Sequence, residues 1–168
     1  MNQSLDLLRS ALGLGALFAL LCPLAIVAGQ ESPPTKKEET MTKSAQGRFD
    51  IEMKPLAEDK GWGGFARMSI DKVFHGELEG ESKGVMLAAH TEVKGSAGYV
   101  AFERVTGKLD GQSGSFVLQH SGSMGQGKSS QVIEVVPDSG TGELKGISGS
   151  LEIIYKEKGH DYVFSYSL

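Results

Sequence analysis

From Arg48 to the C-terminus, apolar and polar residues alternate in short stretches. The alternation has a period of two, which is the spacing of side chains that share one face of a β-strand. No apolar stripe with helical spacing extends beyond two turns in this part of the chain. The clearest strand-like stretches are 66–74, 99–105, 116–120, 131–136, 151–155 and 162–168.

Glycines fall mainly between these stretches. The chain contains 23 glycines, about twice the usual share of a globular protein. Seven or eight short strands at intervals of about ten residues, joined by glycine-containing turns, are typical of an antiparallel sandwich or barrel.

Ionisable residues favour the barrel over the sandwich. Three strands place an ionisable and an apolar residue on the same face: Lys72 with Ile70, Glu103 with Tyr99, and His120 with Phe116. The dry core between two sheets would resist such charges, whereas a barrel of about eight strands can hold side chains or one small ligand. We therefore predict an all-β fold, a single antiparallel barrel over residues 48–168.

Residues 1–29 have the layout of a secretory signal peptide. A polar start with Arg9 precedes the apolar stretch 11–28, which ends in small or compact residues, and we place cleavage near Gln30. A retained membrane anchor is the alternative, since a stretch of this length could just span a bilayer. Pro23 and the missing basic flank favour cleavage. We expect a secreted or periplasmic protein with no stable membrane anchor.

Residues 30–47 are polar and contain little to bury, so we predict a disordered linker between the signal peptide and the barrel. The only cysteine, Cys22, lies in the signal peptide. A mature chain without cysteine has no disulfide, no thiolate nucleophile and no cysteine-bound metal. The net charge of −4 and the absence of a basic cluster argue against a nucleic-acid partner.

Five stretches carry a resemblance to a known family: KVFHGEL at 72–78, GSAGYVAFERVTGKLDG at 95–111, QSGSFVLQH at 112–120, VVPDSGTGELKG at 135–146 and HDYVFSYSL at 160–168. Together they resemble the bacterial family catalogued as domain of unknown function 3224, over essentially the whole predicted barrel. The resemblance implies a barrel similar to those of allene oxide cyclases and dirigent proteins. Those relatives bind apolar or polyene substrates in the lumen and tend to form dimers or trimers, so a homodimer or homotrimer is expected. The family's members often have no signal peptide, and the predicted export departs from that pattern.

His120 is the residue we single out for chemistry in the lumen. It ends a strand whose same-face neighbours, Phe116 and Leu118, are apolar, so its ring should point inward near one mouth. There it could serve as a base or a hydrogen-bond partner. Lys72 and Glu103 are predicted to point inward for the same reason. They either form an internal ion pair that fixes strand register or belong to a polar cluster that orients a ligand.

Aromatic residues on the inward faces have two possible uses. Tyrosines offer apolar surface with a polar tip, which suits an amphipathic ligand, but they can equally fill the barrel as core. The predicted lumen residues are Lys72, Tyr99, Glu103, Phe116, His120, Tyr155 and Tyr162. The four histidines are dispersed, without the two spaced one residue apart on a strand that a cupin-like metal site needs. We expect no metal and no cofactor.

Three functions stay open, and the sequence assigns no catalytic residue. The first is a binding module that holds a small apolar or amphipathic molecule in the lumen. The second is a cyclase or isomerase in which His120, Glu103 and Tyr99 position a reactive polyene. The third is a filled barrel that acts through its outer faces or oligomer contacts. A cavity of a few hundred cubic ångströms favours the first two, and a lumen packed with Tyr, Phe and Met favours the third.

Overall fold

The computed structural model describes residues 41–56 and 65–168. Within those ranges, no helix is long and apolar enough to cross a membrane. The strands are β1 (Lys43–Pro55), β2 (Ala66–Gly76), β3 (Leu78–His90), β4 (Ala97–Leu109), β5 (Gln112–Gly125), β6 (Lys128–Val135), β7 (Thr141–Gly142), β8 (Ser148–Tyr155) and β9 (His160–Ser167).

Eight of these strands close into a barrel. Neighbours follow the order β4-β3-β2-β1-β9-β8-β6-β5, and β5 pairs with β4 to complete the circle. Every pairing is antiparallel, and β7 is a short addition alongside β5. The predicted all-β antiparallel barrel is confirmed.

The barrel begins earlier than predicted. β1 starts at Lys43, inside the predicted linker, and Ala45 is buried within it. The alternation is hard to recognise there because the inward positions hold only Ala45 and Gly47, which have too little apolar surface to mark a face. The predicted signal peptide and the linker up to residue 40 lie outside the described residues and stay predictions.

β3 was also inconspicuous in the sequence, because several of its inward positions are small. Gly84 lies opposite Glu103 in the register of β3 and β4. A Cβ at Gly84 would lie 2.6 Å from the Cβ of Glu103 and 2.4 Å from the carbonyl oxygen of Phe102. Glycine is therefore required here by the close approach of β4, and the missing side chain leaves room for a buried carboxylate.

One half of the lumen is packed solid. Phe116 stacks on Phe164 with ring centroids 5.4 Å apart, and Phe164 stacks on Tyr166 at the same distance. The turn after β7 buries Leu144 and Ile147 in this core. Other fully buried members are Leu78, Val105, Leu109 and Leu118. We call this part of the barrel the closed half.

The weakest seam of the barrel lies between β6 and β8. These strands pair at a single position, Glu134 with Ser150, whereas β4 and β5 pair along their whole lengths. Away from the closed half, the Gln131 side-chain amide donates hydrogen bonds to the Tyr99 hydroxyl at 2.6 Å and to the Tyr155 hydroxyl at 3.2 Å. Side chains therefore link β4, β6 and β8 where backbone pairing has ended.

Tyr162 ties β9 to the start of β3. Its hydroxyl accepts a hydrogen bond from the Leu78 backbone N–H at 2.9 Å and donates to the Leu78 carbonyl at 3.3 Å. The ring is fully buried and meets Phe74 edge-on, with centroids 5.6 Å apart. A Cβ at Gly47 would lie 2.6 Å from the Tyr162 hydroxyl, so glycine makes the space for this contact.

We expect Tyr162→Phe to lower the free energy of unfolding by about 1 to 3 kcal/mol, because the buried backbone groups of Leu78 lose a partner while the ring packing is kept. Urea denaturation with an unchanged slope would measure this. Tyr155→Phe is the matched control, since Tyr155 is 67% exposed, and its change should stay within about 0.5 kcal/mol. Equal stability of the two variants would contradict a structural role for the Tyr162 hydroxyl.

Candidate ligand-binding site

The other half of the lumen is an open cavity of about 510 Å³. This volume lies within the usual range of small-molecule sites. The turn between β3 and β4, which includes residues 91–96, forms part of its rim. Only half of the barrel is therefore filled. Of the two alternatives left open by the sequence, a packed lumen applies to the closed half and an open lumen to the other half.

The walls of this cavity are mainly aliphatic. They include Ile51, Met53, Ile70, Met86, Ala88 and Ile153. Methionine side chains are unbranched and polarisable, so they can adjust to ligands of different shape. Such walls suit the apolar part of a ligand and supply little orientation by themselves.

The floor of the cavity is polar. Lys72 and His120 line it together with the ring of Phe49. Glu103 lies beneath the floor and does not line the cavity. Its Oε1 accepts hydrogen bonds from Lys72 Nζ at 2.8 Å and His120 Nε2 at 3.1 Å, and its Oε2 accepts one from Ser82 Oγ at 3.1 Å. We call Lys72, Ser82, Glu103 and His120 the floor network.

Apart from tyrosines, the floor network accounts for all the buried polar or charged side chains that the described residues contain. Four consecutive strands, β2 to β5, contribute one residue each. Lys72 lies opposite Ser82 in the register, and Glu103 lies opposite Gly84 in the next inward row. The network therefore forms only if all four strands are in their observed register.

Glu103 is ionised at neutral pH. Burial by itself would raise its pKa, but the hydrogen bond from His120 and the charge of Lys72 outweigh burial and hold the pKa at about 2. An ionised carboxylate can only accept hydrogen bonds, so His120 Nε2 carries the ring hydrogen and donates the hydrogen bond to Glu103. The Lys72 ammonium also lies 4.8 Å from the centre of the Phe49 ring, a favourable cation–π distance.

The rim combines aromatic and polar groups. His160 stacks on Phe49 with centroids 5.2 Å apart and meets Tyr155 edge-on at 5.4 Å. Burial raises the pKa of Tyr99, and the hydrogen bond from Gln131 opposes this without cancelling it. Tyr99 therefore keeps its phenolic proton at neutral pH.

The predicted lumen residues occupy three different places. Lys72, Tyr99, His120 and Tyr155 line the cavity, and Glu103 lies under its floor. Phe116 and Tyr162 are core residues and do not line it. The predicted internal ion pair of Lys72 and Glu103 is present. Because Lys72 also faces the cavity, the structural and the ligand-orienting interpretations are compatible.

Several cavity residues lie outside the set predicted from the sequence. Phe49, Ile51 and Met53 come from β1, whose first inward residues are too small to mark a face. His160 has the same parity as Tyr162 on β9. That parity was a usable signal. Gln131 could not have been found in this way, because its role depends on Tyr99 and Tyr155 from other strands.

The remaining histidines are dispersed. His75 does not line the cavity, and its Nε2 lies 3.0 Å from Asp50 Oδ2. His90 lies at the rim. In the two described ranges, no three His, Cys, Asp or Glu side chains are grouped closely enough to hold a metal ion.

Comparison with known proteins gives one family. The model of the family described as "Protein of unknown function (DUF3224)" matches residues 45–166. The chain is also similar to a crystal structure of a protein of unknown function from the DUF3224 family of Shewanella oneidensis MR-1. The TM-score is 0.70, the sequence identity is 49%, and the alignment covers 76% of this chain and 98% of that chain. No curated protein matches this chain.

We expect the buried pair to be strongly coupled. Lys72→Met and Glu103→Gln should each lower the free energy of unfolding by about 3 to 5 kcal/mol, since each leaves one buried charge uncompensated. The double variant should lose at least about 1 kcal/mol less than the sum of the two single losses. Urea denaturation of the four proteins measures this coupling, and additive losses would show that the two charges do not stabilise each other.

Acid should destabilise the barrel through Glu103. Its folded pKa of about 2 lies below the unfolded value of about 4.3, so the unfolded chain takes up the proton first as the pH falls. The stabilisation is present above about pH 5 and is lost as the pH falls towards 2, on the order of 3 kcal/mol in total. The Lys72→Met/Glu103→Gln variant should lose this part of the pH dependence in urea titrations. The exposed substitution Glu79→Gln should retain it, and an unchanged profile in the double variant would contradict the assignment.

Proposed function

This chain belongs to the DUF3224 family of proteins of unknown function, and we propose that its barrel binds one small apolar or amphipathic molecule in the open half of the lumen. The observation that carries the proposal is the cavity of about 510 Å³ with aliphatic walls and a polar floor. Such a combination of apolar lining and a few convergent polar groups is typical of ligand sites.

The contrast between the two halves supports this proposal. Protein interiors are normally close-packed, and unfilled apolar space forgoes stability. The closed half shows that this chain can fill a lumen with aromatic and aliphatic side chains until none is exposed. The open half instead has methionine and isoleucine walls that stop short of one another. A ligand would supply the missing contacts.

The rim suits a ligand with one polar end. His90, Lys94 and Gln131 lie at or near the mouth, whereas the walls below them are aliphatic. An amphipathic molecule could bury its apolar part against the walls and leave a polar group near the solvent. A purely apolar molecule of similar volume would fit the same walls.

A second candidate function is a cyclase or isomerase reaction on the bound molecule. The observation that favours it is the position of Lys72 and His120 at the cavity floor, where both are almost fully buried. Fixed polar groups in a site that excludes water stabilise charge that develops during a reaction. To test this, the ligand is extracted from protein purified from its own host and incubated with fresh protein. Because an isomer has the same mass, a changed chromatographic retention at unchanged mass would show conversion.

Binding can be tested with the neutral fluorescent probe N-phenyl-1-naphthylamine. We expect saturable fluorescence enhancement at one probe per barrel. Ala88→Leu should weaken binding at least tenfold, because Ala88 lines the cavity and is 5% exposed. Ala89→Leu is the matched control, since strand alternation turns the adjacent residue to the other face of the sheet.

The two alanine variants make this experiment decisive. Weakened binding by Ala88→Leu with unchanged binding by Ala89→Leu supports the lumen as the site. Equal binding by both variants would mean that the probe lies elsewhere. No saturable binding to the unmodified protein would reject the proposed site.

A further inference from the structure

We infer that the ligand of this cavity carries an uncharged acceptor oxygen, such as a ketone or aldehyde carbonyl, at its buried end, and that the Lys72 ammonium binds this oxygen at the floor. The inference rests on the proposed function and narrows it from an apolar molecule to one with a defined polar group at a defined depth.

Lys72 has hydrogen-bonding capacity left over. An ammonium group has three N–H donors, and one is directed at Glu103 Oε1 at 2.8 Å. Within residues 41–56 and 65–168, the structure gives Lys72 Nζ no second hydrogen-bond acceptor. The side chain is 4% exposed and lines the cavity. Among the described residues, the rings of Phe49 and Phe74 are the other partners of the ammonium, so a ligand in the cavity can supply an acceptor for its remaining donors.

The charge of the floor selects a neutral partner. The ammonium of Lys72 is already neutralised by the ionised Glu103, which lies directly behind it. A second carboxylate on Lys72 would bring two like charges close together between aliphatic walls, at a high desolvation cost. A carbonyl oxygen accepts a charge-assisted hydrogen bond without adding charge.

The aliphatic walls above the floor suit a ligand whose remaining part is apolar, with this oxygen at its buried end. Ile70 and Ala88 line the cavity with Lys72, and Ile153 lines it from β8. His120 Nε2 is already committed to donating to Glu103, so Lys72 is the floor group with donors to spare. A hydrocarbon without an oxygen would leave those donors unpaired in the complex, which weakens its binding.

Three naphthalenes of nearly equal shape test the inference: 2-acetylnaphthalene, its hydrocarbon isostere 2-isopropenylnaphthalene, and 2-naphthoate. Each competes with bound N-phenyl-1-naphthylamine at neutral pH. We expect the ketone to bind at least tenfold more tightly than either of the other two. The infrared carbonyl stretch of the bound ketone should shift to lower wavenumber than in an apolar solvent, as a hydrogen bond to an ammonium requires.

Two variants separate recognition by Lys72 from folding. Lys72→Met/Glu103→Gln removes both charges of the pair, so it avoids leaving one buried charge alone. Its ketone-to-hydrocarbon ratio should fall to about one, and the carbonyl shift should disappear. Ser82→Ala breaks the same network at a residue that does not line the cavity, and it should keep both the ratio and the shift. Retained fluorescence with N-phenyl-1-naphthylamine shows that each variant still forms the cavity.

The outcomes for the inference and for the proposed function are distinct. If the fluorescent probe does not bind the unmodified protein, the proposed function fails and this inference fails with it. If the probe binds but the three naphthalenes compete equally, the cavity binds ligands and the inference is overturned. Tightest binding of 2-naphthoate would also overturn it, since the floor would then prefer an anion. A preference for the ketone that survives removal of Lys72 would contradict the assigned residue.

Discussion

The buried ion pair of Lys72 and Glu103 is the interaction on which the rest of the barrel depends. Glu103 accepts hydrogen bonds from three other strands, through Lys72 on β2, Ser82 on β3 and His120 on β5. A slip of one residue on any of these strands would turn its member of the network to the outside. A buried pair is weak evidence for stability as such, but it strongly selects one register among the alternatives.

The same network divides the lumen into two halves with different roles. On one side, stacked Phe116, Phe164 and Tyr166 fill the closed half and hold the barrel together. On the other side, Lys72 and His120 of the network form the floor of the cavity. Within the network, Glu103 accepts hydrogen bonds from the other three members, whereas Lys72 keeps N–H donors that no described residue accepts. The barrel can therefore contain a ligand-sized cavity, because the floor network and the closed half below the cavity stabilise the fold.

The mouth of the cavity is held less firmly than its floor. β6 and β8 share one backbone pairing, and beyond it the exposed Gln131 side chain bridges Tyr99 and Tyr155. Exposed hydrogen bonds of this kind open at lower free energy than buried, charge-assisted ones. The wall next to this seam is accordingly held by fewer backbone pairings than the wall formed by β4 and β5.

The sequence by itself determined the all-β fold, most of the strands, and the inward direction of Lys72, Glu103 and His120, because period-two alternation is a local property of each strand. It did not reveal that β1 starts at Lys43, since Ala45 and Gly47 carry too little apolar surface to mark a face. Only the tertiary structure decided that Phe116 and Tyr162 fill the core while Tyr99 and Tyr155 line a cavity. Depth in a barrel depends on the register between strands distant in sequence, and alternation within one strand contains no information about that register.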